Sequence, residues 1–113
     1  MAQVTLTEFL LARIAEDEDV ARTAGPDWIS YQKTADYGMD DDTAVHVVTF
    51  SPARVLAECE AKRRIVDECR QCDQDNFTPR TETWGYREAL RGSVQVLASV
   101  YADHPDYLPE WKP

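Results

Sequence analysis

The cysteines and histidines carry the most reactive side chains of this sequence. Cys69 and Cys72 have the C-x-x-C spacing of zinc knuckles and of thiol redox pairs. A structural zinc site needs two further ligands, for which the chain offers Cys59, His46 and His104. A redox pair needs a helix N-terminus to lower the thiol pKa, whereas these cysteines end a predicted helix. We interpret Cys59 and Cys69 as small core residues and Cys72 as incidental, and we keep Cys59, Cys69, Cys72 and His104 as the candidates to test for metal binding.

The two histidines do not form a recognisable catalytic group. A histidine base needs an orienting carboxylate and a nucleophile within reach. His104 has Asp103 and Asp106 nearby in sequence, but we expect it to bond a terminal carbonyl of the last helix. The sequence contains no G-x-G-x-x-G, P-loop, H-E-x-x-H or G-x-S-x-G motif. It therefore predicts no catalytic residue and no cofactor.

Two runs of acidic residues are candidates for contact with a partner. The first run is Glu16, Asp17, Glu18 and Asp19, and the second is Asp40, Asp41 and Asp42. The second run resembles part of a calcium loop, but position 12 counted from Asp40 is Ser51, where an EF-hand has a bidentate glutamate. Solvated acidic surface is the simpler interpretation of both runs. Tyr107 and Trp111 are the other candidate interaction residues.

The overall charge limits which partners are possible. The chain has 21 acidic and 12 basic residues, a net charge of −9. Such a surface repels phosphate backbones and anionic lipids, so we expect a basic protein partner rather than nucleic acid or membrane. No apolar run approaches the roughly 20 residues of a transmembrane helix, and the N-terminal residues do not resemble a signal peptide. The odd number of cysteines, three, fits a reducing compartment, so we expect a cytoplasmic protein.

The elements that must position these residues are mainly helical. A first helix is predicted from near Thr7, with Leu6, Leu10, Ile14 and Val20 on one stripe, to Gly25-Pro26. Residues 27–50 contain the short β-branched segment "TAVHVVTF" and an alternating segment "DWISYQ", which together predict a β-hairpin.

Two further helices follow the predicted hairpin. The second starts at Ser51 as N-cap with Pro52 at the first position, and the third runs from about Gly85 to Ala102. Gly92 within the third helix suggests a close helix crossing. The predicted fold is one domain, residues 1–113, mainly α, with a three-helix bundle and a β-hairpin between helices one and two.

The C-terminal segment "YADHPDYLPEW", residues 101–111, is unusually aromatic. Disordered segments are poor in aromatic residues, so we expect it to fold back and pack Tyr107 and Trp111 against the bundle. The alternative is an exposed peptide that binds a groove of a partner.

Three stretches carry a family resemblance: "EFLLARIAEDEDVAR", "SPARVLAECEAKRRIVDEC" and "YADHPDYLPEW". They resemble a family of small uncharacterised proteins, a domain of unknown function, that actinobacteria and their phages encode. The chain departs from that family in the segment "AGPDWIS", where Asp27 separates the proline from the tryptophan. The resemblance implies a phage or prophage accessory gene and no particular activity.

Three functional hypotheses follow. The first is a non-enzymatic accessory protein that binds another protein, such as a host factor. The second is an acidic DNA mimic that inhibits a nucleic-acid-binding protein, and the third is a small metal-binding or hydrolytic enzyme. A homodimer through the apolar face of helix one, with Phe9 and Leu11, is also open.

Overall fold

The structure, a computed structural model, describes residues 4–25, 29, 31–74 and 82–113, and all the regular structure in those ranges is helical. The α-helices are α1 (Leu6–Ala24), α2 (Tyr31–Thr34), α3 (Asp41–Thr49), α4 (Pro52–Gln74) and α5 (Glu82–Ala98). Short 3₁₀ turns cover Ala35–Tyr37, Ser99–Tyr101 and Pro109–Trp111. The three long helices predicted from the sequence correspond to α1, α4 and α5.

The predicted β-hairpin is wrong, and with it the mixed fold. The segment expected to form the second strand is helix α3, and the last two residues of the expected first strand, Tyr31 and Gln32, begin helix α2. The rest of that first strand, apart from residue 29, lies outside the described residues. Helix α3 forms because the Asp40 carboxylate accepts a hydrogen bond from the Thr43 N–H at 2.7 Å, an N-cap that outweighs the weak β preference of a short valine-rich segment.

The ends of the long helices follow local signals that the sequence displays. The Thr5 hydroxyl accepts from the Glu8 N–H at 3.2 Å and donates to the Glu8 carboxylate at 2.8 Å, which caps α1. Gly25 ends α1 with a φ of 82°, in the left-handed region that glycine favours. At α4, the Ser51 hydroxyl accepts from the Arg54 N–H at 3.3 Å and Pro52 is the first helical residue. The predicted cap at Ser51 is confirmed, and Thr5 is the residue that caps α1.

The chain divides into two compact units, which we call the terminal unit (Met1–Ile14 and Ala61–Pro113) and the central unit (Ala15–Glu60). The core of the terminal unit draws on all three long helices: Phe9, Leu10, Ile14, Val66, Cys69, Cys72, Val94 and Ala98 are buried. In the central unit, the buried residues include Glu18, Ala21, Thr34, Ala44 and Cys59. Val20, which the sequence placed on the apolar stripe of helix one, is exposed instead.

Gly92 does not mark a close crossing of helices. A Cβ atom built on Gly92 meets no atom within 4 Å, so the helix loses nothing in packing by accepting a side chain there. The prediction of a close crossing at this residue is therefore wrong.

Candidate interaction surfaces

The C-terminal segment packs against Phe9 of α1. The Phe9 ring centroid lies 5.5 Å from that of His104, 5.8 Å from that of Tyr107 and 5.1 Å from that of Trp111. The first two contacts are edge-to-face, a geometry that aromatic pairs favour. The prediction that Tyr107 and Trp111 pack on the helices is confirmed. Phe9 is only 2% exposed, so this residue is covered within its own chain and does not form an open face for a second copy.

His104 has a structural position within this aromatic cluster. The Arg13 guanidinium contacts both ring nitrogens of His104, with a distance of 3.0 Å from Nη1 to Nδ1. The backbone N–H of Asp106 also donates to Nδ1, at 3.0 Å. Since the Asp106 N–H donates to it, Nδ1 is an acceptor here, not a donor to a helix carbonyl as the sequence suggested. A metal ion at this ring would face the charge of Arg13, so the geometry disfavours His104 as a ligand.

The three cysteines are buried, and none of them forms a disulfide within the described residues. Cys59 lies in the central unit, and Cys69 and Cys72 lie in the terminal unit. Burial, followed by the nearby charge of Asp73, raises the pKa of the Cys69 thiol, which is the opposite of what a redox or nucleophilic cysteine needs. Among the described residues, no three His, Cys, Asp or Glu side chains come together as a metal site.

A groove of about 400 Å³ adjoins Cys69 in the terminal unit, and charged residues of α4 and α5 line it. Oδ1 of Asp73 accepts hydrogen bonds from Arg87 Nε at 3.0 Å and from Arg91 Nε at 3.2 Å. Arg91 also forms an ion pair with Glu88, with 3.5 Å between Nη1 and Oε1. Sequence reasoning missed this network, whose signal is two arginines four residues apart on one helix. The charged side chains that line the groove are Asp73, Glu88 and Arg91, so the groove offers only a small net negative charge to a ligand.

The two acidic runs both belong to the central unit, but their side chains have different environments. Glu16 and Asp19 are exposed, Asp17 is half-buried and Glu18 is only 8% exposed. Asp41 and Asp42 are exposed in the first turn of α3. Asp40 is the N-cap of α3. Its carboxylate accepts hydrogen bonds from the backbone N–H of Thr43, which has the larger effect, and from the Thr43 side chain, and these bonds hold the pKa of the carboxyl below its usual value. The exposed carboxylates of the runs are therefore Glu16, Asp19, Asp40, Asp41 and Asp42, of which Asp40 also serves as the N-cap.

The negative charge is concentrated in one unit. The central unit contains eleven acidic and three basic residues, a net charge of −8, whereas the terminal unit contains ten and nine, a net charge of −1. The sequence already shows most of the negative charge in its first half, and the structure shows that residues 15–60, which carry it, form one compact unit.

A row of four side chains crosses the junction of α3 and α4 within the central unit; we call it the 46–58 row. The rings of His46 and Phe50 are 4.7 Å apart, and the Arg54 guanidinium lies 4.3 Å from the Phe50 ring centroid. Arg54 Nε in turn donates to Glu58 Oε1 at 3.1 Å. Sequence reasoning missed this row because it placed His46 in a strand; the four-residue spacing was the available signal.

Exposed apolar side chains accompany the row. Val45 is 54% exposed and Phe50 is 44% exposed, and Tyr37 and Val20 of the same unit are more exposed still. A single exposed apolar residue is ordinary. Here, however, two exposed apolar side chains, Val45 and Phe50, lie on one nine-residue helix and its C-cap, where only Ala44 is buried, so this helix exposes more apolar surface than it buries.

Within the described residues, none of the helices is both long enough and apolar enough to cross a membrane.

Comparison with known proteins gives a family and no activity. No curated protein and no solved structure matches the chain. Residues 3–113 match the profile of a family that is described only as a family of unknown function. The chain therefore belongs to this family of unknown function, DUF6221.

Proposed function

We propose that this protein is a non-enzymatic accessory protein that binds a protein partner through the acidic surface of the central unit. The observation that carries the proposal is the partition of charge: a net charge of −8 in the central unit against −1 in the terminal unit. A charge spread evenly over the chain would serve solubility alone. Concentrated charge also steers a basic partner toward one part of the molecule and raises the association rate.

The biological context of the proposal comes from the family resemblance. We propose an actinobacterial phage or prophage gene whose product acts in the cytoplasm, with a host protein as partner. Cysteines that are buried and not joined in disulfides are compatible with a reducing compartment. Homodimerisation remains a separate prediction, which light scattering of the purified protein tests.

The same partition of charge supports a second candidate, an acidic mimic of DNA that inhibits a nucleic-acid-binding protein. This candidate needs carboxylates in a row on one face, and the burial of Glu18 interrupts the first acidic run. A captured partner that is released by competing duplex DNA supports the mimic, and a partner that is indifferent to DNA supports the broader proposal. An enzymatic role is the least supported, because Cys69 has a raised pKa and His104 faces Arg13.

The proposal is tested by capturing partners from an actinobacterial lysate on the immobilised full chain, at about 50 mM and about 500 mM NaCl. The test variant is the double charge reversal Asp19→Lys/Asp42→Lys in the central unit. The matched control is Asp67→Lys/Glu110→Lys, which changes the net charge equally at exposed positions of the terminal unit. We expect a salt-sensitive partner that the first variant loses and the control retains. Equal loss with both variants, or no specific partner at low salt, would contradict the proposal.

A further inference from the structure

We propose that the outer face of α3, together with the 46–58 row, is the docking surface for a basic amphipathic segment of the partner. This inference rests on the proposed function and assigns the contact to one helix. The face has Asp41 and Asp42 at its N-terminal end, Val45 in the middle, and His46 and Phe50 at its C-terminal end.

The apolar part of this face supplies the anchor. Val45 and Phe50 are 54% and 44% exposed, so covering both side chains removes apolar surface from water and favours association. Charge alone does not explain why these positions are apolar in the most strongly acidic part of the chain. A partner that brings apolar residues as well as basic ones uses both features.

The aromatic end of the face is already ordered. The Phe50 ring centroid lies 4.7 Å from that of His46 and 4.3 Å from the Arg54 guanidinium. Arg54 is held in turn by Glu58, with 3.1 Å between Arg54 Nε and Glu58 Oε1. The Phe50 N–H also donates to the His46 carbonyl at 3.0 Å. A side chain held in this way loses little conformational freedom when a partner covers it, which lowers the cost of binding.

Charge complementarity identifies the occupant. The carboxylates of Asp41 and Asp42 precede Val45 by about one turn, and Asp42 and Phe50 are about 12 Å apart along a helical path at the usual rise per residue. The complementary partner is a segment with lysine or arginine about two turns from an apolar or aromatic residue. The phosphates of a nucleic acid are repelled by the net charge of −8 in this unit.

The test measures fluorescence anisotropy of the full chain with two labelled synthetic probes of equal length, an amphipathic leucine–lysine helix and an oligolysine. We expect tighter binding of the leucine–lysine probe. Val45→Ser should weaken it about tenfold, the effect of losing one buried aliphatic side chain, and should change oligolysine binding less than about twofold. The matched control is Val96→Ser, an exposed valine of α5 in the terminal unit, which should change neither.

Several outcomes would overturn this inference: equal binding of both probes, an unchanged affinity with Val45→Ser, or an equal loss with Val96→Ser. Phe50→Ser is the second variant, with helicity checked by circular dichroism, and it should weaken the same probe selectively. The proposed function fails separately, when Asp19→Lys/Asp42→Lys still captures the partner from lysate as well as the unaltered chain does.

Discussion

The Trp111 ring lies 5.1 Å from the Phe9 ring, so the last aromatic residue of the chain rests on the first helix. Tyr107 packs on the same ring and on Trp111 itself, with centroids 5.6 Å apart in the second pair. The C-terminal segment therefore covers an apolar residue that would otherwise face water. This packing accounts for the aromatic residues Tyr107 and Trp111 in this segment.

Trp111→Ala should destabilise the protein by about 2 kcal/mol, because the half-buried indole contributes apolar contact with Phe9 and Tyr107. Urea unfolding followed by circular dichroism measures the change. The control is Val100→Ala, at a residue that is 70% exposed, which should cost less than about 0.5 kcal/mol. Equal free energies of unfolding for Trp111→Ala and Val100→Ala would show that packing of the C-terminal segment on Phe9 does not stabilise the helices.

Tyr107→Phe should leave stability unchanged or raise it by up to about 1 kcal/mol. The Tyr107 hydroxyl is buried and has no hydrogen-bond partner among the described residues, so its removal eliminates an unsatisfied polar group and keeps the ring on Phe9. The same urea titration provides the measurement. A clear loss of stability would reveal a hydrogen bond that this geometry lacks.

Gly92→Ala should stabilise the protein by about 1 kcal/mol, since alanine favours a helix interior and its Cβ meets nothing within 4 Å. Thermal or urea unfolding detects the increase. Gly38→Ala is the matched control, because its Cβ also has space but its φ of 72° is unfavourable for alanine, and it should destabilise instead. A loss of stability in Gly92→Ala would indicate a contact at this helix face.

Cys69 should react slowly with iodoacetamide in the folded protein at pH 7 and readily in urea. Burial raises its thiol pKa, so the thiolate fraction at neutral pH is smaller than in an unfolded chain, and the rate should increase only as the pH rises further. Mass spectrometry of the labelled peptides at several pH values follows each cysteine. Rapid native labelling at pH 7 would contradict the interpretation of Cys69 as a core residue.

Asp40→Ala should weaken α3, because the Thr43 N–H loses its acceptor, whereas Asp40→Asn keeps an oxygen there and should weaken it less. The folded pKa of Asp40 is lowered, so its stabilising effect is present above the unfolded pKa of about 3.9 and is lost as the pH falls through the folded value. Hydrogen exchange of the α3 amides between pH 3 and pH 6 measures both effects. Loss of the pH dependence in Asp40→Asn is the expected control result.

The helices that the sequence predicted well are those with local signals at their ends. Thr5, Ser51 and Pro52 mark helix starts, and Gly25 marks an end, because each acts through atoms only a few residues away. The segment of α3 was predicted as a strand because its valines suit one, but the Asp40 carboxylate accepts the deciding hydrogen bond from the Thr43 N–H and starts a helix. The error was therefore in weighing two local signals against each other.

The sequence alone determined the net charge, the apolar residues available for a core and the aromatic character of the C-terminal segment. Only the tertiary structure decided that Arg13 meets His104, which is 91 residues away, and that residues 15–60, with their net charge of −8, form one compact unit. The physical reason is range: caps and helical periodicity act within a few residues, whereas ring packing and the bounds of a compact unit depend on which segments fold together.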